Sequence, residues 1–247
     1  TLPAGYLSSF TSDRYALLVT EDGGKLVRTP RYGLKENLEI RHIKAVLSDD
    51  ASLEIKATTS YSGLQQDRYH SLINDLSKDK VKEVLHEQFD LATYDILSFD
   101  YREHRSALPV IEEKLDIVVS NYATITGKRL FIVPNIMTRT SRKLTADVQR
   151  QYDIDLSFAY KDVDTVEISL PAGYIPEAMP KDVSVSGKFG MYESQVRFIG
   201  DKLFYYRAIE HNSGRFPASD YPELVKFYET MYKADRSKVV LVKKENQ

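Results

Sequence analysis

The stretch LEIKATTSY, residues 53–61, shows the pattern that decides the fold class. Leu53, Ile55, Ala57 and Tyr61 fall on one side of an extended chain, and the charged and hydroxyl residues between them fall on the other. Side chains alternate between the two faces of a strand, so this period of two predicts a strand with one buried face and one wet face.

The same alternation recurs along most of the chain. It is seen in residues 115–119, 154–160, 166–170, 183–185, 196–198 and 203–209. One apolar and one polar face per strand is typical of antiparallel sheets that pack on a single side, as in a sandwich. We further predict a hairpin turn at residues 161–164, and a β-bulge between His42 and Ile43, where the apolar phase changes.

Three stretches have helical spacing instead. Apolar residues recur three and four positions apart in residues 69–76 and again in 81–89, where Ser77 or Asp79 is the expected cap. Residues 220–223 resemble an N-cap, a first-turn proline and a capping-box acid that open a C-terminal helix. The predicted fold is mainly β: an antiparallel β-sandwich with a helical insertion at about residues 65–90, a C-terminal helix and a final strand at 239–242.

Composition excludes several functional classes. A 42% hydrophobic and 28% charged chain of 247 residues is too apolar for disorder and long enough for a packed core. The net charge is −2 with basic and acidic residues interspersed, which argues against nucleic acid as a partner. No apolar run is long enough to span a membrane, and no signal peptide is recognisable. With no cysteine, the chain has no thiol nucleophile, disulfide or thiolate metal ligand.

The first 35 residues have a different character from the rest. Pro-Ala-Gly-Tyr at 3–6, Arg-Tyr-Ala-Leu-Leu-Val at 14–19 and the Asp-Gly-Gly-Lys-Leu-Val-Arg-Thr-Pro run at 22–30 predict a turn and two short strands joined by a Gly-Gly hairpin. Two short strands are only marginally stable alone. We therefore predict two units, residues 1–35 as the tail of another domain and residues 36–247 as the sandwich. Because residue 1 is threonine, we expect the chain to be a piece of a longer protein.

These N-terminal motifs, in their order, resemble the exit from the catalytic core of bacterial transglutaminase-like proteins. Asn37, the Tyr-Ser-Gly at 61–63, Tyr221-Pro222, the Ala-Asp-Arg at 234–236 and the final strand are also similar to that family. The resemblance implies a parent protein with a Cys/His/Asp core in which a thiolate attacks a carbonyl, none of which lies in this chain. It implies a secreted, periplasmic parent, and it makes this chain the non-catalytic C-terminal part, with the upstream core as its partner.

Candidate metal sites are weak. The five histidines lack metal-ligand spacing, and no H-E-x-x-H motif occurs. Asp153, Asp155, Asp162 and Asp164 could gather oxygen ligands for Ca²⁺, but the glycine and terminal glutamate of a calcium loop are missing. Acids on the wet face of a hairpin explain them more simply, so we expect no cofactor.

Two basic clusters are candidate contacts for an anion or an acidic partner. The first is Arg102, His104 and Arg105, and the second is Arg139, Arg142 and Lys143. Exposed loop charge is the alternative explanation. Tyrosines such as Tyr205, Tyr206, Tyr228 and Tyr232 could line a carbohydrate or peptide groove, although core packing explains them as well and tryptophan is absent.

Three functional hypotheses follow. The leading one is an accessory β-sandwich that supports or positions a transglutaminase-like core. The alternative is a self-sufficient binding module for a glycan or a cell-envelope protein. The third, an enzyme that uses acid and base carboxylates, requires two converging Asp or Glu side chains with raised pKa values in a deep pocket.

Overall fold

The computed structural model describes residues 2–145 and 150–244. Thr1, where the first predicted unit begins, and Gln247, where the second ends, lie outside the described residues. Within these ranges the chain forms sixteen strands and three α-helices. The strands are β1 (Tyr15–Thr20), β2 (Gly23–Arg28), β3 (Leu38–Leu47), β4 (Leu53–Ser62), β5 (Tyr94–His104), β6 (Val110–Val119), β7 (Thr124–Thr126), β8 (Arg129–Ile132), β9 (Ile154–Leu156), β10 (Tyr160–Ser169), β11 (Tyr174–Ala178), β12 (Val183–Gly187), β13 (Gly190–Ile199), β14 (Lys202–His211), β15 (Gly214–Phe216) and β16 (Val239–Lys243). The helices are α1 (Asp67–Asp75), α2 (Lys78–Gln88) and α3 (Tyr221–Ala234).

The largest element is a sheet of eight strands in the order β12-β13-β14-β10-β3-β4-β6-β5. Every neighbouring pair in it is antiparallel except β3 with β10, which run parallel. The sheet therefore consists of two antiparallel halves, β3-β4-β6-β5 and β12-β13-β14-β10, joined by one parallel pair. A parallel pair cannot be closed by a short turn, and the chain between β3 and β10 builds much of the rest of the molecule.

A second sheet, in the order β11-β16-β8-β7, covers the inner face of the first. Leu130, Ile132, Val239 and Leu241 are buried in the same apolar core as the inner side chains of β3, β4 and β6. Two sheets that share one core form a sandwich, so the predicted fold class is confirmed. The parallel pair is the departure from the predicted antiparallel arrangement.

The helices pack into two separate apolar clusters. Helices α1 and α2 bury Tyr69, Leu72, Val81 and Leu85 in the main core, and Ser77 caps α2 as predicted by accepting from the Lys80 N–H. Helix α3 buries a second cluster beside β13 and β14. Its apolar positions and the strand that follows it agree with the sequence.

One detail of α3 differs from the prediction. The Asp220 side chain makes no cap hydrogen bond, because its carboxylate instead lies 2.9 Å from Lys188 Nζ.

Two local predictions are wrong. Residues 161–164 do not turn but lie inside β10, and residues 154–156 pair with β15 rather than with β10. Strand β3 runs opposite β4 in unbroken register through His42 and Ile43, so no bulge is present there. A register shift occurs instead between Ile96 and Ser98 of β5. In both misread segments the cause is the same: charged side chains occupy inward positions.

Candidate functional site

A row of polar side chains crosses the inner face of the large sheet. Because the strands are in register, seven residues from seven consecutive strands lie side by side. From β13 to β5 they are Ser194, Arg207, Asp164, Arg41, Thr59, Glu113 and Tyr101. The neighbouring row is apolar throughout: Val196, Tyr205, Val166, Ile43, Ala57, Leu115 and Phe99. The polar row thus interrupts the apolar lining of the sheet.

Four of the buried charges form what we call the buried ion chain: Arg41, Asp164, Arg207 and Asp235. The Arg41 Nη1 atom lies 3.0 Å from Asp164 Oδ1, and Arg207 Nη1 lies 3.2 Å from Asp164 Oδ2. Arg207 Nε continues the chain to Asp235 Oδ1 at 2.9 Å. The four residues are at most 4% exposed and carry two positive and two negative charges. The chain is therefore neutral, which offsets the large cost of burying each ion.

Further hydrogen bonds satisfy the two ends of the buried ion chain. At one end Arg41 Nη2 contacts Glu39 Oε1 at 2.5 Å, and Arg41 Nε donates to the Thr59 hydroxyl. At the other end Asp235 accepts from Tyr192 OH, Asn135 Nδ2 and the Thr140 N–H at 2.8 to 3.0 Å. Polar groups that are buried but fully paired give a unique arrangement, because any other packing leaves one of them unsatisfied.

Burial and charge act against each other on the ionisable groups here. Burial alone would lower the pKa of the arginines, but their carboxylate neighbours raise the pKa of both Arg41 and Arg207. Burial raises the pKa of Glu113, against hydrogen bonds from Tyr101 and Tyr61. Burial, followed by the negative charge of Glu39, raises the pKa of Asp162 to about 8. Protons on Asp162 and Glu113 are thus held more tightly than in water.

These perturbed carboxyls do not line the surface grooves. Five grooves formed by the described residues are lined by other side chains, and Glu113 is fully buried. Perturbed acids mark a catalytic site when they face a cleft. Here they belong to the packing between the sheet and the chain that covers it.

The histidines are dispersed. His70 Nδ1 lies 2.6 Å from Glu103 Oε1, and His211 Nε2 lies 3.1 Å from Tyr228 OH, whereas His42 and His104 are exposed. Across residues 2–145 and 150–244, no three His, Asp or Glu side chains stand close enough together to hold a metal ion.

The four aspartates considered for calcium do not converge. Asp153 pairs with Arg215 at 2.9 Å, and Asp155 is exposed on β9. Asp162 accepts from Gln65 Nε2 at 2.7 Å, and Asp164 lies in the buried ion chain. The wet-face interpretation therefore fits the first two and is wrong for Asp162 and Asp164, which lie on the inward side of β10.

The candidate basic residues all have partners already. Arg102 and Arg105 lie near Asp100 and Glu103 at 3.4 and 2.9 Å, and Arg139 donates to the Asp90 carbonyl. The other two residues of the second cluster contact α3, where Arg142 lies over the Tyr228 ring and Lys143 over the Tyr232 ring. The two clusters lie on different elements, and anion binding by either stays a prediction.

The N-terminal hairpin, β1 and β2, exposes apolar side chains, whereas the interior of the sandwich buries charged ones. Strands β1 and β2 form a separate two-stranded sheet, and among the described residues neither pairs with another strand. Its apolar side chains are turned outward: Leu17 and Leu26 are 66% exposed and Val19 is 78% exposed. Phe10, just before β1, is also 78% exposed. Apolar groups clustered on an exposed surface mark contact sites rather than ordinary surface.

The hairpin is joined to the body through a well-packed junction. Tyr6 is buried, its hydroxyl donates to Asp67 Oδ1 at 2.6 Å, and its ring lies 5.4 Å from that of Tyr32. Asn37 is fully buried and accepts from the Leu64 N–H at 2.9 Å. Gly63 has φ +56°, and a Cβ there would lie 2.5 Å from Asn37 Oδ1, so no larger residue fits.

The residues that carried the family resemblance are thus structural contacts. Asn37 and Gly63 form the junction, and Asp235 ends the buried ion chain. The inward charges themselves were missed at the sequence level. The signal was available as the change of apolar phase in residues 38–47, where Arg41 continues the inward positions of Ile43, Ala45 and Leu47.

A known family model matches part of the chain. Residues 128–241, just under half of the sequence, match the model of a family described as a domain of unknown function with a solved structure, DUF3858. The match begins just before β8, ends within β16 and includes α3, Arg207 and Asp235. A comparison with curated proteins gives no match.

One solved structure aligns over much of the chain. It is the crystal structure of a "putative protease" from Parabacteroides distasonis, with 7% identity and a TM-score of 0.34, covering 85% of this chain and all of that one. A similarity of this size does not establish a shared fold. Separately, no helix in the described residues is both long and apolar enough to cross a bilayer.

Proposed function

We propose that this chain is a non-catalytic accessory region that docks against a preceding, transglutaminase-like catalytic domain through its N-terminal hairpin. The observation that carries the proposal is the group of exposed apolar side chains on and beside β1 and β2, a two-stranded sheet that pairs with no other described strand. A solvated two-stranded sheet of this kind gains stability when another domain covers its apolar face or extends its edges.

The sequence resemblance indicates which domain would cover the hairpin. The hairpin residues are the ones that resemble the exit from a transglutaminase-like core, so a core upstream in the same parent chain is the expected cover. In that arrangement the rigid junction at Tyr6, Asn37 and Gly63 fixes the sandwich relative to the core. A periplasmic or secreted location belongs to the same proposal and is testable by cell fractionation of the parent protein.

Hydrogen exchange tests the docking. The amides of β1 and β2 should exchange fast in this chain and at least about tenfold more slowly in a longer chain from the same gene that includes the upstream domain. Amides of β4 serve as the internal reference, since they are central in both. Equal exchange of the hairpin in both chains contradicts docking.

Activity assays test the non-catalytic part. The purified chain should neither cleave peptides nor crosslink glutamine to amines, because it supplies no thiolate. Turnover by this chain that resists thiol-alkylating reagents contradicts the proposal and favours carboxylate chemistry. The control is the longer chain, which should act on the same substrates and lose activity on alkylation.

A further inference from the structure

The outer face of the large sheet carries a groove of about 360 Å³ that the accessory role does not use. It lies across β3, β10, β14 and β13, on the side opposite the core. Two rows of outward side chains form its floor. One row is Arg197, Phe204, Glu167 and Lys44, and the other is Gln195, Tyr206, Thr165 and His42.

Two aromatic rings stand in the middle of this groove. Phe204 and Tyr206 are partly buried and lie two positions apart on β14, so their attachment points are about 6.6 Å apart. Tyr205 between them faces the core. In the other half of the sheet, the outward positions of β4 carry Glu54, Lys56 and Thr58 rather than rings.

The charges around the rings are largely paired within the groove and at its rim. Arg197 makes two contacts of 2.6 Å with the Asp182 carboxylate, and Lys202 Nζ lies 2.5 Å from Glu167 Oε1. His42 Nδ1 is 2.5 Å from the Thr165 hydroxyl. An anion site needs uncompensated positive charge, whereas here Lys44 alone adds to paired groups of both signs. Paired side chains instead present donors and acceptors in fixed directions.

We propose that this groove binds a neutral oligosaccharide. The Phe204 and Tyr206 rings would face the apolar C–H surfaces of adjoining sugar units. Gln195, Thr165 and the Arg197–Asp182 pair would exchange hydrogen bonds with the hydroxyls. Aromatic rings beside polar groups that are fixed in direction can orient a ligand through both kinds of contact. The site is independent of the hairpin, since no residue of β1 or β2 lines it.

The test is an NMR titration of the ¹⁵N-labelled chain with cellohexaose, xylohexaose and chitohexaose as probes. At least one should shift the amide signals of β13 and β14 around the groove, with a dissociation constant of roughly 1 mM or tighter. Binding should change little between low and high salt, because no counterions are released by a neutral ligand.

Variants locate the binding. Phe204→Ala and Tyr206→Ala should each weaken it at least about tenfold, whereas Tyr206→Phe, which keeps the ring, should retain most of it. The matched control is Tyr152→Ala, which removes a tyrosine 82% exposed outside the groove. A thermal melt of each variant distinguishes lost binding from lost folding.

A sulfated heparin hexasaccharide is the contrasting probe. Binding of this probe alone, with steep salt dependence, overturns the proposal and assigns an anion site. Absence of shifts with all three neutral probes at roughly tenfold above the expected dissociation constant also overturns it. Neither outcome affects the hydrogen-exchange test of the hairpin, so the two proposals fail separately.

Discussion

The buried ion chain and the N-terminal hairpin invert the usual distribution of polar and apolar residues. In the first, four charged side chains lie where apolar ones are expected, and each has an opposite charge within hydrogen-bonding distance. In the second, Leu17, Val19 and Leu26 lie in water with no described partner strand beyond the hairpin. The buried charges have their partners within the chain, whereas the apolar side chains of the hairpin stay exposed in it.

The difference shows where this chain is self-sufficient. Buried ions survive only when their partners are supplied, and here β3, β10, β14 and the residue after α3 supply all of them. Exposed apolar side chains cost less, so a chain can carry them until another surface covers them. Substitutions in the two regions should therefore differ in the size and the type of their effect.

The largest effect is expected from Asp235→Ala. It leaves Arg207 with one fewer counter-charge and removes the acceptor of Tyr192, Asn135 and the Thr140 N–H. Leaving a buried charge without its partner costs about 3–5 kcal/mol of unfolding free energy. Urea denaturation measures the loss. The control Asp182→Ala breaks the exposed pair with Arg197 and should cost less than about 1 kcal/mol; equal losses would refute the special role of burial.

Arg41→Lys should have the next largest effect. The guanidinium of Arg41 contacts Asp164, Glu39 and Thr59 at once, and a lysine ammonium cannot take all three directions. We expect a loss of about 2 kcal/mol by urea denaturation, with the fold retained. The same exchange at exposed Arg197 should be close to neutral. A neutral Arg41→Lys would mean that charge, and not geometry, holds the chain together.

Asp162→Asn should change how stability depends on pH. Burial raises the pKa of Asp162 from 3.8 to about 8, so the folded protein holds a proton that the unfolded chain releases. This carboxyl therefore makes the fold less stable as pH rises from 3.8 to about 8. The variant should be more stable than wild type at pH 8, and the gap should close toward pH 4.

Thermal melts across this pH range measure the difference between variant and wild type. His211, whose pKa is lowered by burial and by Arg142, contributes the opposite slope to both proteins and cancels. A pH-independent difference would show that Asp162 is not protonated in the folded state.

The smallest effect on stability is expected in the hairpin. Leu17→Lys together with Val19→Lys should change the unfolding free energy by less than about 0.5 kcal/mol, because both side chains are already exposed. We also expect the exposed apolar hairpin to make the isolated chain self-associate at high concentration, and the double variant to remove that association in sedimentation experiments. Leu97→Lys, at a position equally exposed on β5, is the control and should leave association unchanged. A large stability loss would show that the hairpin packs on the body.

Much of the fold was predictable because it depends on local patterns. Alternation identified most strands of the large sheet, and helical spacing identified α1, α2 and α3 with their inward residues. The hairpin in the first 35 residues was also predicted, but its turn is at Glu21 and Asp22, whereas the Gly-Gly pair expected at the turn begins β2. The site residues were harder. Arg41, Asp164 and Arg207 are more than 40 residues apart from one another in sequence, and nothing local marks them as partners.

The sequence by itself determined the β-rich class, the helical segments and the absence of thiol chemistry, because each depends on residue type and short-range spacing. Tertiary structure decided the parallel pairing of β3 with β10, which aligns Arg41 with Asp164 across the join. An inward charged residue interrupts the apolar alternation of a strand. Read from local sequence alone, that interruption predicts a bulge or a turn. Only the opposite charge on the neighbouring strand, brought there by the fold, makes that inward position stable.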